Sequence, residues 1–463
     1  MAKNKLLSPI ARRDLIKWGT FVGASLGLPR WKVFEVLEMA GGSALAQQAA
    51  CLPTNRAVHI AAGNGGFAWF QLLWPHVDVA RANNASFAFH APGMATMAQG
   101  SDKPLAFGPE APWTSLGSGK FVSAFMSGQN QTHTRTPTSS GTIATGVSLF
   151  AACAALQATT PTLVPVIGVN AGQAMMPFGA AAGSPPIANV GNSDGMVDLF
   201  NSAASSAMGA LANPKDAALY EAYYKGFLGL SSAAGRSTMT RGLRTAKVAS
   251  NLLGVNLAAQ LRPSGSDLAR YGIGGGSPTK LVDFAKALIT TAKAFKLGLT
   301  SAVMMPAMED DPHGAFANMG TLQMTVATLG KSLDAFLGDL AVPDPTCAGA
   351  KIADNVVLSI HGDTPKNPLD RNGWPDGTPN NSNWIYVMGN GYLRTGWHGG
   401  VQADGSTRGF DPATGAENNA PASATANAAT AAIAYAIARG DSRAIQDFAR
   451  GVDIKGITVP VQL

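Results

Sequence analysis

Short apolar runs recur along the chain, and each stops at a turn signal. NRAVHIAAGNGG (55–66) reads as a first buried strand that ends in a glycine loop; position and loop carry this reading, since alternation is poor. TLVPVIGVN (162–170) is a second strand, in which Pro165 argues for an edge or a short run. TSAVMMPAM (300–308), NVVLSIHGD (355–363) and NWIYVMGNG (383–391) are three more. Helical patterns separate them. IATGVSLFAACAAL (143–156), NMGTLQMTVATLGKSLDAFLGDL (318–340) and an alanine-rich stretch at 423–439 each read as one helix.

Between about 192 and 298 the pattern turns helical throughout. SDGMVDLFNSAASSAMGAL opens at a Ser/Asp cap signal, and DAALYEAYYKGFLGL and RSTMTRGLRTAKVASNLLGVNLAAQL follow. In PTKLVDFAKALITTAKAF, apolar residues at 281, 282, 284, 285 and 288 share one helical face. Residues 80–140, rich in Gly, Ser, Thr and Pro, give no clear element. Strands alternating with helices predict an α/β fold of three layers, α/β/α, with a mostly parallel sheet and a helical insertion or cap at 192–298. In such sheets a ligand sits beyond the carboxyl ends of the strands. That rule singles out Asn64, Asp310, Asp311, His313, His361 and Asp363.

Composition sharpens this picture. The chain has 463 residues, 46% hydrophobic and 13% charged, with 53 glycines, which suits a large core and excludes a disordered chain. The net charge of +6 is concentrated at the N-terminus. Residues 1–46 hold seven bases and three acids, and the remainder holds 27 bases and 25 acids. No basic stripe with interleaved aromatics follows, so nucleic acid is not an expected partner.

The N-terminal charge belongs to an export pattern. Arg12-Arg13 with Leu15, Ile16 and Lys17 precedes an apolar stretch, Trp18 to Leu28, and a small-residue exit, Ala44-Leu45-Ala46. The pattern resembles a twin-arginine signal peptide over residues 1–46. It implies the twin-arginine export machinery as a partner and a periplasmic or extracellular location. The apolar stretch is shorter than the ~20 residues of a membrane span, and no integral membrane segment is expected after signal removal. Of three cysteines (Cys51, Cys153 and Cys347), at most one disulfide and one free thiol can form within the chain. Cys51 lacks the apolar residue three positions ahead that a lipoprotein box wants.

The order of motifs in residues 55–450 resembles the twin-arginine-exported family known as domain of unknown function 1501, related in turn to the alkaline phosphatase and sulfatase superfamily. Asp311-Pro312-His313 stands where that family has Asp-Thr-His. Ser359-Ile360-His361-Gly362-Asp363-Thr364-Pro365 stands on Ser-Glu-Phe-Gly-Arg-Thr-Pro. Asn381-Ser382-Asn383-Trp384 takes the place of Gly-x-Asp-His-Trp, MGNGYLRTGWHGGV (388–401) matches the closing Gly-Gly segment, and Thr132-His133 an early His. The resemblance implies an alkaline-phosphatase-like domain over 55–450. The departures fall on functional positions: Ser382-Asn383 replaces Asp-His, Ile360 and Asp363 replace Glu and Arg, and the first loop lacks its Asp.

Two functions follow from this. One is a divergent metal-dependent hydrolase of phosphate or sulfate esters, with a small anionic ester as substrate. Asp311, His313, His361 and Asp363 would hold a divalent metal, and His with carboxylate suits Zn, Mn or Fe better than Mg. His398 would be a further ligand or a general acid. Thr138 and Ser139, in the loop TPTSSGTIATG ahead of a helix, would be nucleophile candidates by position, against the plainer reading as a turn and helix cap. The other function is a non-catalytic binding or assembly protein of the cell envelope on the same fold. GIGGGS (272–277) lacks the Lys of a phosphate loop and reads as a connector, Met304, Met305 and Met308 read as core, and His59, His76 and His90 carry no spacing signal.

Overall fold

Arg56–Ala61 forms strand β1, and Arg56 to Ile60 are all buried. A strand covered on both faces keeps no polar side, which is why its sequence does not alternate. The computed structural model describes residues 54–61, 96–97, 106–107, 121–126, 147–157, 160, 162–170, 184–200, 252, 255–306, 319–345, 347–362, 384–401, 407–418 and 422–461.

The other strands among the described residues are β2 (Thr96–Met97), β3 (Ala106–Phe107), β4 (Phe121–Met126), β5 (Val166–Val169), β6 (Ile187–Val190) and β7 (Ala302–Pro306). After them come β8 (Pro343–Asp344), β9 (Cys347–Lys351), β10 (Val356–Gly362), β11 (Trp384–Gly389), β12 (Gly396–His398), β13 (Gly400–Val401) and β14 (Thr407–Arg408). Among the described residues the α-helices are α1 (Leu149–Leu156), α2 (Ser193–Phe200), α3 (Leu257–Leu261), α4 (Gly265–Arg270), α5 (Thr279–Lys296), α6 (Met319–Asp339), α7 (Ala422–Ile437) and α8 (Gln446–Ala449). The five strands expected from the apolar runs all form. Strand β4, inside the stretch that gave no clear element, and strand β6 were not foreseen.

The chain divides into two units. One comprises Met1–Leu52, Thr159–Leu163 and Phe200–Gln260; the other comprises Pro53–Ala158, Val164–Leu199 and Leu261–Leu463. Within the first, the described residues include the start of α3, where Asn256 Oδ1 accepts from Ala259 N–H as an N-terminal cap. The second contains a mixed, mostly parallel sheet of eight strands in the order β12-β4-β11-β10-β1-β7-β5-β6. Only β11 runs against its neighbours, β10 and β4. Pro165 stands just ahead of β5, where its missing N–H costs the ladder nothing, and its carbonyl accepts from the backbone N–H of Ala302.

Register makes the two faces distinct. Ala57, Phe125, Val166, Ala302, Met304, Val357, Ile385 and Val387 share one face and pack with Leu149, Phe150 and Cys153 of α1 and with the alanines of α7. Alanine at 428, 429, 432 and 436 lets α7 lie close on the sheet, because no long side chain holds it away. Arg56 lies on the opposite face, where its guanidinium sits 6.0 Å from the ring centre of Phe295 in α5. The α/β architecture with helices around a mostly parallel sheet therefore holds.

Helix α5 buries Leu281, Phe284, Ala285, Leu288, Ile289, Ala292 and Phe295, the three-to-four spacing of its sequence, and packs against α6. Lys293 and Lys296 fall in its last turn, where they favour the negative end of the helix dipole. The GIGGGS segment joins α4 to α5 as a turn in which Gly274 N–H donates to Ser277 Oγ, in keeping with a connector. Arg56 and Asp344 form a fully buried two-pronged ion pair, Nη1–Oδ2 2.5 Å and Nη2–Oδ1 3.2 Å, that ties the start of β1 to the β8–β9 hairpin.

Candidate functional site

The strands β10, β1 and β7 are adjacent and parallel, so their carboxyl ends share one rim. One register row runs along this rim: His398, Phe125, Ile385, His361, Ala61 and Pro306 are successive partners across six strands. In the sequence, the segment with Asp310, Asp311 and His313 follows the rim end of β7, and Asp363 follows that of β10. Strand β1 stands between them, so the two exits are about 10 Å apart at strand spacing. Asp311, His313, Asp363, Thr138 and Ser139 lie outside the described residues.

The next row into the sheet places Ser123, Val387, Ser359, His59, Met304 and Gly168 side by side on the same face. Here Ser359 Oγ and His59 Nδ1 share a hydrogen bond of 2.7 Å, both groups being buried. The hydroxyl donates when the ring carries its proton on Nε2. His361 stands on the same face, one side-chain step closer to the rim than His59 and on the neighbouring strand.

Burial dominates the electrostatics of this pair. His59 is pushed down from 6.5 to about 3 by loss of water, with a further push from the charge of His361. His361 is pushed down from 6.5 to about 4 by burial. Both rings are therefore neutral at ordinary pH, the form that offers a lone pair to a cation. The two differ in what satisfies them. His59 has Ser359; in His361, 4% exposed, neither Nδ1 nor Nε2 has a hydrogen-bond partner among the described residues. An unsatisfied polar group at such depth costs about 1–3 kcal/mol, which a ligand accepting the ring's lone pair would offset.

His398 has a different environment. Its Nε2–H donates to the Arg394 carbonyl at 2.9 Å, which sets the tautomer, since a carbonyl only accepts. Its ring stacks on Phe125 at 4.9 Å between centres and 13° between planes, with Phe410 against it at 5.9 Å. Three strand spacings separate His398 from His361, about 14 Å, whereas ligands of one zinc ion lie about 2 Å from the metal. The structure therefore puts the two histidines in one row without bringing them to one ion. Among the described residues no three His, Cys, Asp or Glu side chains gather as a metal cluster.

His59 is the residue that sequence reasoning passed over. The available signal was an imidazole inside an otherwise apolar strand, RAVHIA, but its partner Ser359 is 300 positions away and only the parallel register joins them. Met304 and Met305 are core residues on opposite faces of β7, as their apolar run implied. No family model, curated protein or solved structure matches this chain.

Proposed function

We propose that the protein is an exported, metal-dependent hydrolase of small phosphate or sulfate esters, built on an alkaline-phosphatase-like variant of the α/β fold. The observation that carries the reading is His361: a buried, neutral imidazole with both ring nitrogens unpartnered among the described residues, at the carboxyl rim of the mostly parallel sheet. In this reading His361 and Asp363 hold a divalent ion of the Zn, Mn or Fe type together with Asp311 and His313 from the β7 exit. The ion would neutralise charge on the attacking and departing oxygens of the ester. Thr138 and Ser139 remain nucleophile candidates by sequence position. His59, held by Ser359, keeps the face beside His361 neutral and dry, which leaves the imidazole free of a competing positive charge.

The sequence motifs of the 1501-type family support the reading, and so does the Arg12-Arg13 leader, which implies passage through the twin-arginine machinery to the periplasm or beyond. Among the described residues no helix is long and apolar enough to cross a membrane. The second reading, a non-catalytic envelope binding or assembly protein, has one observation in its favour: Ser382-Asn383 stands where the family's motif has Asp-His.

Metal analysis of protein recovered from the exported fraction separates the two. The hydrolase reading expects close to one or two equivalents of a transition metal, turnover of p-nitrophenyl phosphate or sulfate, and loss of both in His361→Ala. A wild-type protein that binds no metal from Zn, Mn or Fe solutions and turns over neither ester would end it.

A further inference from the structure

His59 stands close enough to His361 to share an ion with it, on the reading that His361 is a metal ligand. His59 and Ser359 are register partners on β1 and β10, and His361 is two positions further along β10 on the same face. The two histidines are therefore diagonal neighbours, about 7–8 Å apart at the backbone and within reach of long side chains. Their closeness agrees with the push that a charge on His361 exerts on His59. Neither ring has the full set of partners that buried polar groups normally find. His361 has none on either nitrogen among the described residues, and the one hydrogen bond of the His59 ring among those residues is made through Nδ1.

The bond to Ser359 decides which nitrogen of His59 is free. With the ring proton on Nδ1, the imidazole donates to Ser359 Oγ and Nε2 carries the lone pair. A metal-bound histidine has this arrangement: its second nitrogen holds an outer partner that fixes tautomer and ring orientation. Nε2 of His59 and one nitrogen of His361 then offer two lone pairs from one face of the sheet, and an ion about 2 Å from each would satisfy both. The register partners beside them on β11, Ile385 and Val387, are apolar and supply no oxygen ligand. Imidazole in such surroundings discriminates between ions. It suits zinc and ranks it above manganese, while magnesium prefers oxygen and keeps its water.

We infer that His59 is a second imidazole ligand of the ion held by His361, that Ser359 orients it, and that the pair makes zinc the preferred metal. His59 acts through the ion and Ser359 acts through His59, so neither is assigned a place against the ester.

The test uses the full chain, stripped of metal by a chelator and titrated with zinc while its imidazole nitrogens are followed by nitrogen-15 NMR. The rings of His59 and His361 should shift together as zinc binds, and X-ray absorption of the zinc protein should count at least two imidazoles. His59→Asn should remove one imidazole from that count and shrink the preference for zinc over manganese. Ser359→Ala should keep the count and weaken zinc binding by about 10–100-fold, the usual cost of losing an outer partner. Wild-type protein in which zinc shifts His361 and leaves His59 unmoved would overturn the inference and leave the hydrolase reading standing. An unchanged imidazole count in His59→Asn, or a wild type that takes manganese ahead of zinc, would do the same. A wild type that takes up no zinc, manganese or iron would end both.

Discussion

The two buried histidines make stability fall with acid by an amount that can be worked out in advance. Both are held neutral in the fold, His59 at about 3 and His361 at about 4, against 6.5 when exposed. A depressed value in the folded state means that the unfolded chain binds the proton more tightly. The stability these groups contribute is therefore complete above 6.5 and is lost as pH falls from 6.5 toward 4. Each pH unit well inside that window costs about 1.4 kcal/mol per histidine. Between pH 7 and pH 5 each loses about 2 kcal/mol, about 4 kcal/mol for the pair. The figure rests on the exposed value and on both folded values lying below 5. Urea unfolding at the two pH values measures it, with a chelator present so that no metal holds His361 neutral. The comparison is with the His59→Asn, His361→Gln double variant, in which the carboxylates and the other histidines contribute as before. Wild type should lose about 4 kcal/mol more than the variant on acidification. Equal losses in the two proteins would refute the assignment of both rings as buried and neutral.

Three further predictions address packing and charge. Asp344→Asn leaves the Arg56 guanidinium buried without its counter-ion and should cost about 3–5 kcal/mol by denaturant unfolding, while Arg56→Met with Asp344→Leu should recover most of it. Ala432→Leu forces a longer side chain between α7 and the sheet, where Ala432 is fully buried, and should lower stability by about 1–3 kcal/mol. His398→Phe keeps the stack on Phe125 and removes the bond to the Arg394 carbonyl. It should leave metal content unchanged, whereas His361→Gln should abolish it; equal loss in both would return His398 to the ion.

Local pattern determined the elements. RAVHIA, VIGV, AVMMP, VVLSIHG and WIYVMG are strands, and the helices from Thr279 and Met319 are where their periodicity put them, because strand and helix spacing is written into neighbouring residues. A mostly parallel sheet followed from their alternation. FVSAFM in β4 was not legible, since turn residues recur throughout the Gly-, Ser-, Thr- and Pro-rich stretch around it and single out no one run, yet β4 links β11 to the edge strand β12. His361 was legible because it sits at the end of an apolar run. His59 was not, and neither was the distance from His361 to His398. Parallel pairing joins segments hundreds of residues apart, and a shift of one position would turn every side chain to the other face. Only the register of β1, β10, β11, β4 and β12 decided that His59 meets Ser359, that His361 stands beside them with no partner among the described residues, and that His398, three strands from His361, packs against Phe125.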